Sequence, residues 1–365
     1  MNSLLPAIPV IDARESGAVG HAAQSRARAS ALRDGCIASL PRAMAPLVPA
    51  LDKAAQRWLS RSCSPYVAEI GEIAATLGFS GIWMLNCSYQ WGCTSLAREE
   101  EGVPWLARTL DWPFPGLGLH ADVVCAQGPA GDYVSVTWPG YAGVLTAIAP
   151  GRFAACINQA PMRRRTRHPW LRLYDIAANG FGTWGTVHMP PDQLLRQAFE
   201  TCATFAAAKK MLESAPVARP VIYTLIGSAP GEKCVIERTE TGYVTREAAT
   251  AAANDWVPGR TGWEARIAAA RFFTCTPEEA AGRCEARRSA LAQWPGRLAQ
   301  GRFEWVLPPV LNPYTRLAVV MSPGAGVLRA VGFEMTDSGL PQEATRVCDL
   351  SFGPAARGAI QVCHA

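Results

Sequence analysis

A thiol, two arginines, an aspartate and an asparagine are the residues here that could do chemistry together. Cys93 lies in the run NCSYQWGCTSLAREEEGVPWLARTLDW (86–112), preceded by Gly92, followed by Thr94 and Ser95, with Arg108 and Asp111 downstream. A free thiol, pKa about 8.5, is only a few per cent thiolate at neutral pH, so a nucleophilic cysteine needs a base or a cation beside it. Histidine is the usual base, but none is near Cys93 in sequence, and His120 or His188 could be recruited only by folding. A second solution is to cut the chain before the cysteine and use its new α-amine, whose reference pKa of about 7.7–8.0 suits proton transfer near neutrality. The plain alternative is a packed sulfur, since free cysteine is among the most buried residue types. The 12 cysteines are widely spread, without paired spacings of a disulfide scaffold or zinc site, and the five histidines lie far apart. Reduced thiols, no metal and no cofactor are expected.

Four further stretches bear on the choice. Cys-Thr-Ser at 93–95, Arg-Thr-Leu-Asp-Trp at 108–112, GYAGVLTAIAPGRFAACINQ at 140–159, and Asn-Asp-Trp at 254–256 with Arg266 downstream follow in order. Together they resemble the N-terminal nucleophile (Ntn) hydrolases of the acid ceramidase and N-acylethanolamine acid amidase group, relatives of choloylglycine hydrolase and penicillin V acylase. The resemblance runs over residues 66–335. It implies an α+β fold, a four-layer αββα sandwich of two antiparallel sheets between helices, and a zymogen cut between Gly92 and Cys93. Gly92 leaves the scissile carbonyl uncrowded and permits a strained backbone there. Residues 1–92 would form a helical leader, the α-chain, and 93–365 the catalytic β-chain. By the resemblance Cys93 is the nucleophile and its α-amine the base, Arg108 favours thiolate, Asp111 orients the amine, Asn254 holds the oxyanion and Arg266, just after Glu264, completes the site. Asn158, Gln159, Tyr141 and Trp256 are the substrate-binding candidates; Asn158-Gln159 departs from the Asn-Glu that the group often carries. The implied substrate is an N-acyl amide with an apolar acyl chain.

These residues need elements to position them. Before Gly92 the chain reads as amphipathic helix, broken by Pro41, Pro46 and Pro49. PYVAEIGEIAATLGFS is a cleaner helix, with Pro65 near its start and Gly78 past its end. After Cys93 come short β-branched or alternating runs separated by Gly, Pro and Asp, a helical block over PPDQLLRQAFETCATFAAAKKMLESA, more strands from Val221, a helix over 277–299 and a closing hairpin. Strand and helix runs with hairpin connections give α+β with helices covering antiparallel sheets. GFGTWG at 180–185 lacks the strand-then-helix setting of a phosphate loop and reads as plain loop. One geometric conflict stands out: residues three apart on a regular strand face opposite ways, so Arg108 and Asp111 share one site only if the strand bends, and Trp112-Pro113 offers a place for that.

Composition limits the rest. The chain has 365 residues, 49% of them hydrophobic, and a net charge of +5 spread over scattered arginines, with one local run, RRRTRH at 163–168. That charge is too small to argue for nucleic acid. No window of about 18 apolar residues suggests a spanning helix. The N-terminus lacks a basic segment and its apolar run holds prolines, which reads as no secretory signal and a cytoplasmic protein. A leader of this length favours the ceramidase-like branch over a bile-salt or β-lactam acylase. A non-cleaving acyl-lipid binding protein on the same fold would have lost one of Cys93, Arg108, Asp111 or Asn254, and all are present. Weak membrane-surface contact through residues 37–60 and the Arg163–Arg167 run is a further expectation, the run otherwise being a solvated loop. If Asp111 orients the amine, Asp111→Asn keeps the fold and loses most turnover; melting temperature and turnover of cleaved protein measure this, and unchanged turnover removes Asp111 from the reaction.

Overall fold

Alternating apolar runs after Gly92 become two eight-stranded sheets lying face to face. The computed structural model describes residues 5–88, 92–248, 250–267, 271–337, 339–353 and 362–364. The chain opens with strand β1 (Val10–Asp12) and helices α1 (Gly17–Gln24), α2 (Arg26–Ala38), α3 (Val48–Leu59), α4 (Val67–Leu77) and α5 (Ile82–Leu85). Strands β2 (Gly92–Glu100), β3 (Val103–Asp111), β4 (Asp122–Gly128), β5 (Gly131–Thr137), β6 (Thr146–Ala149), β7 (Phe153–Gln159) and β8 (Met162–Arg163) follow. Then come α6 (Arg172–Trp184), α7 (Pro191–Thr201), α8 (Phe205–Ser214), β9 (Val221–Gly227), β10 (Lys233–Arg238), β11 (Tyr243–Arg246), β12 (Ala251–Ala252) and β13 (Trp263–Glu264). The last part holds α9 (Pro277–Gln293), β14 (Thr315–Ser322), β15 (Val327–Met335), β16 (Pro341–Glu343), β17 (Cys348–Phe352) and β18 (Val362–His364).

One sheet runs β1-β4-β5-β6-β7-β9-β10-β11 and is antiparallel except for β1 beside β4. The other runs β12-β2-β3-β14-β15-β17-β18, with β16 added at β15, and β13 pairs with β8 in a small third sheet. β2 and β3 lie against β7 and β9; α1 and α7 cover β4 from the far side of the first sheet, α8 covers β9 to β11, and α9 covers β2 and β12 of the second. This is the α+β sandwich of four layers, αββα. Period-two alternation divides the second sheet cleanly. Cys93, Ala97, Leu106, Leu110, Leu317, Val319 and Met321 join the core between the sheets. Leu96, Trp105, Ala107, Ala318 and Val320 join the core under Leu291 of α9 and Trp305.

Local chemistry explains the element ends. α2 stops before Pro41, and α3 begins with Pro49 in its first turn, as expected for a ring that lacks an N–H donor. Gly78 ends α4 in the left-handed region, φ 72°. The helical block expected over residues 190–215 is two helices, because Thr204 leaves the helix and its hydroxyl caps Ala207 N at 3.1 Å. The helix expected to 299 stops at Gln293, before Trp294-Pro295. GFGTWG is not a loop: its first five residues are the last of α6, and Gly185 caps it. Strands β1, β2, β8, β12, β13, β16, β17 and β18 are additions to the expected order.

A buried carboxylate ties the segment before Cys93 to this frame. Asn86, just after α5, donates to the carbonyls of Ile82 and Gly140 and accepts from Ala142 N at 2.7 Å. Next to it Tyr141 donates to Asp192 Oδ2 at 2.7 Å. Asp192 is in the first turn of α7, and burial pushes its carboxyl up to about 6 against the tyrosine bond that opposes the shift. The folded chain therefore keeps this proton to higher pH than the unfolded chain, whose reference value is 3.8. Below that value the group costs nothing; its penalty grows as pH rises and is complete above about pH 6. Asp192→Asn is expected to gain about 2–3 kcal/mol relative to wild type in urea unfolding at pH 7.5 compared with pH 4. An equal difference at both pH values contradicts this.

Candidate active site

The β2–β3 pairing settles how Arg108 and Asp111 can both serve Cys93. In register, Gly92 faces Asp111, Cys93 faces Leu110 and Ser95 faces Arg108. Directly paired residues share a face, so Cys93, Arg108 and Leu110 point between the sheets while Asp111 points with Gly92 toward α9. The strand does not bend between Arg108 and Asp111. The bulge is in β14, where the register shifts between Thr315 and Leu317 and leaves Thr315 opposite Asp111. One arginine addresses the sulfur, and one carboxylate lies behind the backbone.

On the sulfur side, Arg108 Nη2 donates to Cys93 Sγ at 2.8 Å and to Ile157 O at 3.2 Å, and Nη1 donates to Thr146 Oγ1 and, at 3.5 Å, to Leu145 O. Both residues are fully buried. None of these acceptors is a carboxylate, so the negative partner that suits this cation is the thiolate. Burial nevertheless pushes the Cys93 thiol up, Arg108 pulls it down, Asp111 adds to the rise, and Arg266 and Arg287 oppose it. No histidine side chain bonds to Cys93 among the described residues: His21 lies 2.9 Å from Asp122, and burial pushes His120 down in a separate loop.

On the backbone side, Cys93 N donates to Asn254 Oδ1 at 2.9 Å. Arg287 Nη2 donates to the same oxygen at 3.0 Å, which fixes the amide so that Asn254 Nδ2 turns to Gln159 O at 2.9 Å. Asp111 accepts from Arg287 Nη1 at 2.9 Å, Asn312 Nδ2 at 2.8 Å and Thr315 Oγ1 at 3.0 Å. Arg287 Nη1 also reaches Cys93 O at 3.4 Å. Arg266 N donates to Asn254 O at 3.2 Å, and its guanidinium is buried, with burial pushing its pKa down and Asp111 opposing that. A Cβ placed on Gly92 would stand 2.8 Å from Arg266 Nη1 and 2.9 Å from Asp111 Cβ. Gly92 is not among the positive-φ glycines, so the expected backbone strain is absent and close approach is what calls for glycine.

The four substrate candidates divide. Asn158 and Gln159 border the cluster: Asn158 Nδ2 donates to Ser95 Oγ and Ala253 O, both at 3.1 Å, while its Oδ1 and Gln159 Oε1 are buried without a partner among the described residues. Trp256 packs edge-on to Trp263 at 5.4 Å, with Arg260 over its ring at 4.8 Å. The hydroxyl of Tyr141 goes instead to Asp192, on the helix-facing side of the first sheet. Nor is the Arg163–Arg167 run simply solvated: Arg164 is buried between Asp175 and Glu264, and Arg163 pairs with Glu240.

Sequence reading missed Arg287, Asn312, Thr315 and Thr146. A signal for Arg287 exists. Ala280, Cys284, Arg287 and Leu291 form the buried stripe of α9 at helical spacing, and an arginine inside such a stripe asks for a partner.

No family model matches the sequence. The chain is 26% identical over 268 residues to the N-acylethanolamine-hydrolyzing acid amidase of Oryctolagus cuniculus, covering 71% of this chain and 70% of that one. To the enzyme of the same description from Mus musculus it is 29% identical over 186 residues, 49% of this chain and 48% of that one. The chain thus spans about half the length of the mouse relative, and by sequence it is a homologue of these amidases. Among solved structures, a Caenorhabditis elegans ortholog of that amidase aligns with TM-score 0.46 and 20% identity over 64% of this chain and 93% of its own. A mutant of conjugated bile acid hydrolase from Clostridium perfringens aligns with TM-score 0.46 and 10% identity over 75% and 96%.

Gly92→Ala tests the close approach of Arg266. The added methyl must displace the guanidinium or the strand end, so any scission at this bond slows at least tenfold while the sandwich keeps its melting temperature within a few degrees. Time courses on denaturing gels measure it, and scission at the wild-type rate contradicts it.

Proposed function

We propose that this chain is a self-processing cysteine amidohydrolase that cleaves N-acyl amides with an apolar acyl chain through a thioester on Cys93. The observation that carries the reading is the double hold on Cys93: a buried guanidinium on its sulfur and the Asn254 amide on its main-chain nitrogen. Homology to acid amidases supports it.

In the first stage Cys93 Sγ attacks the Gly92 carbonyl carbon. The Gly92–Cys93 C–N bond breaks, a thioester joins the Gly92 carbonyl to Sγ, and the departing nitrogen takes the thiol proton. Water then hydrolyses the thioester, leaving a carboxylate on Gly92 and a free thiol and α-amine on Cys93. The products are residues 1–92 and 93–365. They remain paired, because the leader is held by His21 beside Asp122, by Tyr66 on Glu200 at 2.6 Å and by Glu69 on Arg196.

In turnover the new amine takes the thiol proton, and Arg108 favours the resulting thiolate. The thiolate attacks the substrate carbonyl, whose oxygen gains charge where Asn254 Nδ2 now meets the Gln159 carbonyl. The ammonium of Cys93 returns its proton to the leaving amine, and water releases the acyl group as a carboxylic acid. Asp111 keeps the amine oriented from behind the strand, and Arg266 closes the site over Gly92.

A lipid-like substrate also suits one surface. Helix α6 buries Arg172 and Asp175 against Glu264 and Arg164, and turns Trp170 of the preceding turn, Leu173, Tyr174 and Phe181 to solvent. Phe181 is 77% exposed. α3 joins this face through Trp58 Nε1 on Thr183 O at 2.8 Å, and adds exposed Leu51 beside Met44 and Leu47. Weak membrane-surface contact is proposed here, with α6 and α3 rather than the arginine run supplying the apolar side.

Hydrolysis of a long-chain N-acylethanolamine by cleaved protein tests the function, read as released fatty acid. Asn254→Ala is expected to lower kcat about 100- to 1000-fold with little change in KM, since a donor to the oxyanion acts when that oxygen is charged. A fall below about threefold, or a change confined to KM, removes Asn254 from that role; no hydrolysis of any N-acyl amide by cleaved wild type overturns the function.

A further inference from the structure

Arg287, the arginine inside the buried stripe of α9, reaches four residues in and beside the site. It projects from the buried stripe of α9, and its two terminal nitrogens reach Asp111 Oδ2 at 2.9 Å, Asn254 Oδ1 at 3.0 Å, Cys93 O at 3.4 Å and Cys284 Sγ at 3.5 Å. A planar guanidinium can hold several acceptors in one fixed fork, which an ammonium on a flexible stem cannot. We propose that Arg287 is a positioning residue of the amide-cleaving reaction: it sets the Asn254 amide so that Nδ2 faces the reacting carbonyl, anchors Asp111, and holds down the proton affinity of the Cys93 amine.

The first part follows from the amide's two ends. Asn254 Oδ1 receives two donors, Cys93 N and Arg287 Nη2. Cleavage turns Cys93 N into an amine that keeps an N–H in either protonation state but rotates about N–Cα and must turn its lone pair to the thiol proton, so its bond to Oδ1 is no longer fixed in direction. Arg287 is the donor that stays. Without it the amide can rotate and present its oxygen to a developing oxyanion, which repels it.

The second part is electrostatic. The titratable groups around Cys93 are Arg108 and Asp111 from β3, Arg266 after β13 and Arg287 from α9, with the Cys156 thiol of β7 on the sulfur side and the Cys284 thiol of α9 beside Arg287; of these, Arg287 shares the Asn254 Oδ1 acceptor with Cys93 N. Three cations and one carboxylate surround a group that must be neutral to act as base. A nearby like charge disfavours the ammonium, so Arg287 keeps the amine neutral to lower pH. Removing Arg287 also frees the charge of Asp111 to favour the ammonium. Both effects shift the amine the same way.

The assignment rests on the amidase reading above, and its test separates the two. Cleaved wild type, Arg287→Gln, Arg287→Lys and Arg238→Gln are compared for kcat and KM on a long-chain N-acylethanolamine from pH 4 to 9, with melting temperatures. Arg238 serves as a buried arginine remote from Cys93, held on Glu213 O and Ala215 O. Arg287→Gln is expected to lower kcat at least tenfold at unchanged KM and to move the acid limb of the profile up by about one pH unit. Arg287→Lys restores the limb, since the charge is back, and leaves kcat below wild type, since one ammonium cannot bridge all the acceptors. Arg238→Gln lowers melting temperature without moving the limb. If Arg287→Gln does not fold, Arg287→Lys decides: wild-type kcat overturns the bridge, and a shifted limb overturns the charge effect. An acid limb in Arg287→Gln that coincides with wild type overturns the assignment and leaves the amidase reading standing. Wild type that hydrolyses no N-acyl amide overturns both.

Discussion

The antiparallel register of β2 on β3 is the constraint on which the site depends. Because Cys93 faces Leu110 rather than Thr109 or Asp111, its sulfur enters the space between the sheets and the peptide before it lies against α9. A slip of one residue would exchange every side chain between the two faces, putting Thr94 among the inner residues and Cys93 under α9. The apolar residues on both faces hold the register: Leu106, Leu110 and Ala97 in one core, Trp105, Leu96 and Ala107 in the other. Residues that would otherwise be ordinary core thus aim the thiol.

From that register follows a division of labour by face. Arg108 bonds to the sulfur from within the sandwich; Asp111, Arg266, Arg287 and Asn254 lie around the backbone of residues 92 and 93 on its other side. The cluster is electrically lopsided, with the buried guanidinium groups of Arg108 and Arg287, the partly buried Arg266 and, among the described residues, a single carboxylate. Buried charge in excess of its counter-charge is costly, and a site of this sign favours anions: a thiolate, an oxyanion, the carboxylate formed at Gly92. The imbalance that weakens the intact fold is the one the proposed chemistry draws on.

How much of this could be read from residues alone varies with the range of the interaction. Gly78 as a helix end, Pro41 as a break between helices and the alternation in TRLAVVMSP are local signals, and each has its place in the structure. The resemblance carried by Cys93, Arg108, Asp111, Asn158, Gln159, Asn254 and Arg266 picked out residues from five separate parts of the chain that the fold gathers. The conflict between Arg108 and Asp111 was also legible, since period two demanded opposite faces; its resolution was not, because only the paired strand shows that the Gly92–Cys93 peptide lies between the two faces. Tyr141 was drawn toward the substrate by its place in a motif, while its hydroxyl is committed to Asp192. Arg287 comes from a helix far downstream, and α6 hides its polar face and exposes its apolar one, reversing the pattern by which a loop and a helix are usually told apart.

In the proposed mechanism the Gly92–Cys93 peptide is the bond that the site breaks first. Intact mass with N-terminal sequencing of the purified protein, incubated across a pH series, addresses that bond directly. Two chains are expected, the larger beginning at Cys93, and a single uncut chain of 39.1 kDa for Cys93→Ala. A wild-type protein that hydrolyses N-acyl amides while remaining one uncut chain at every pH would contradict the mechanism.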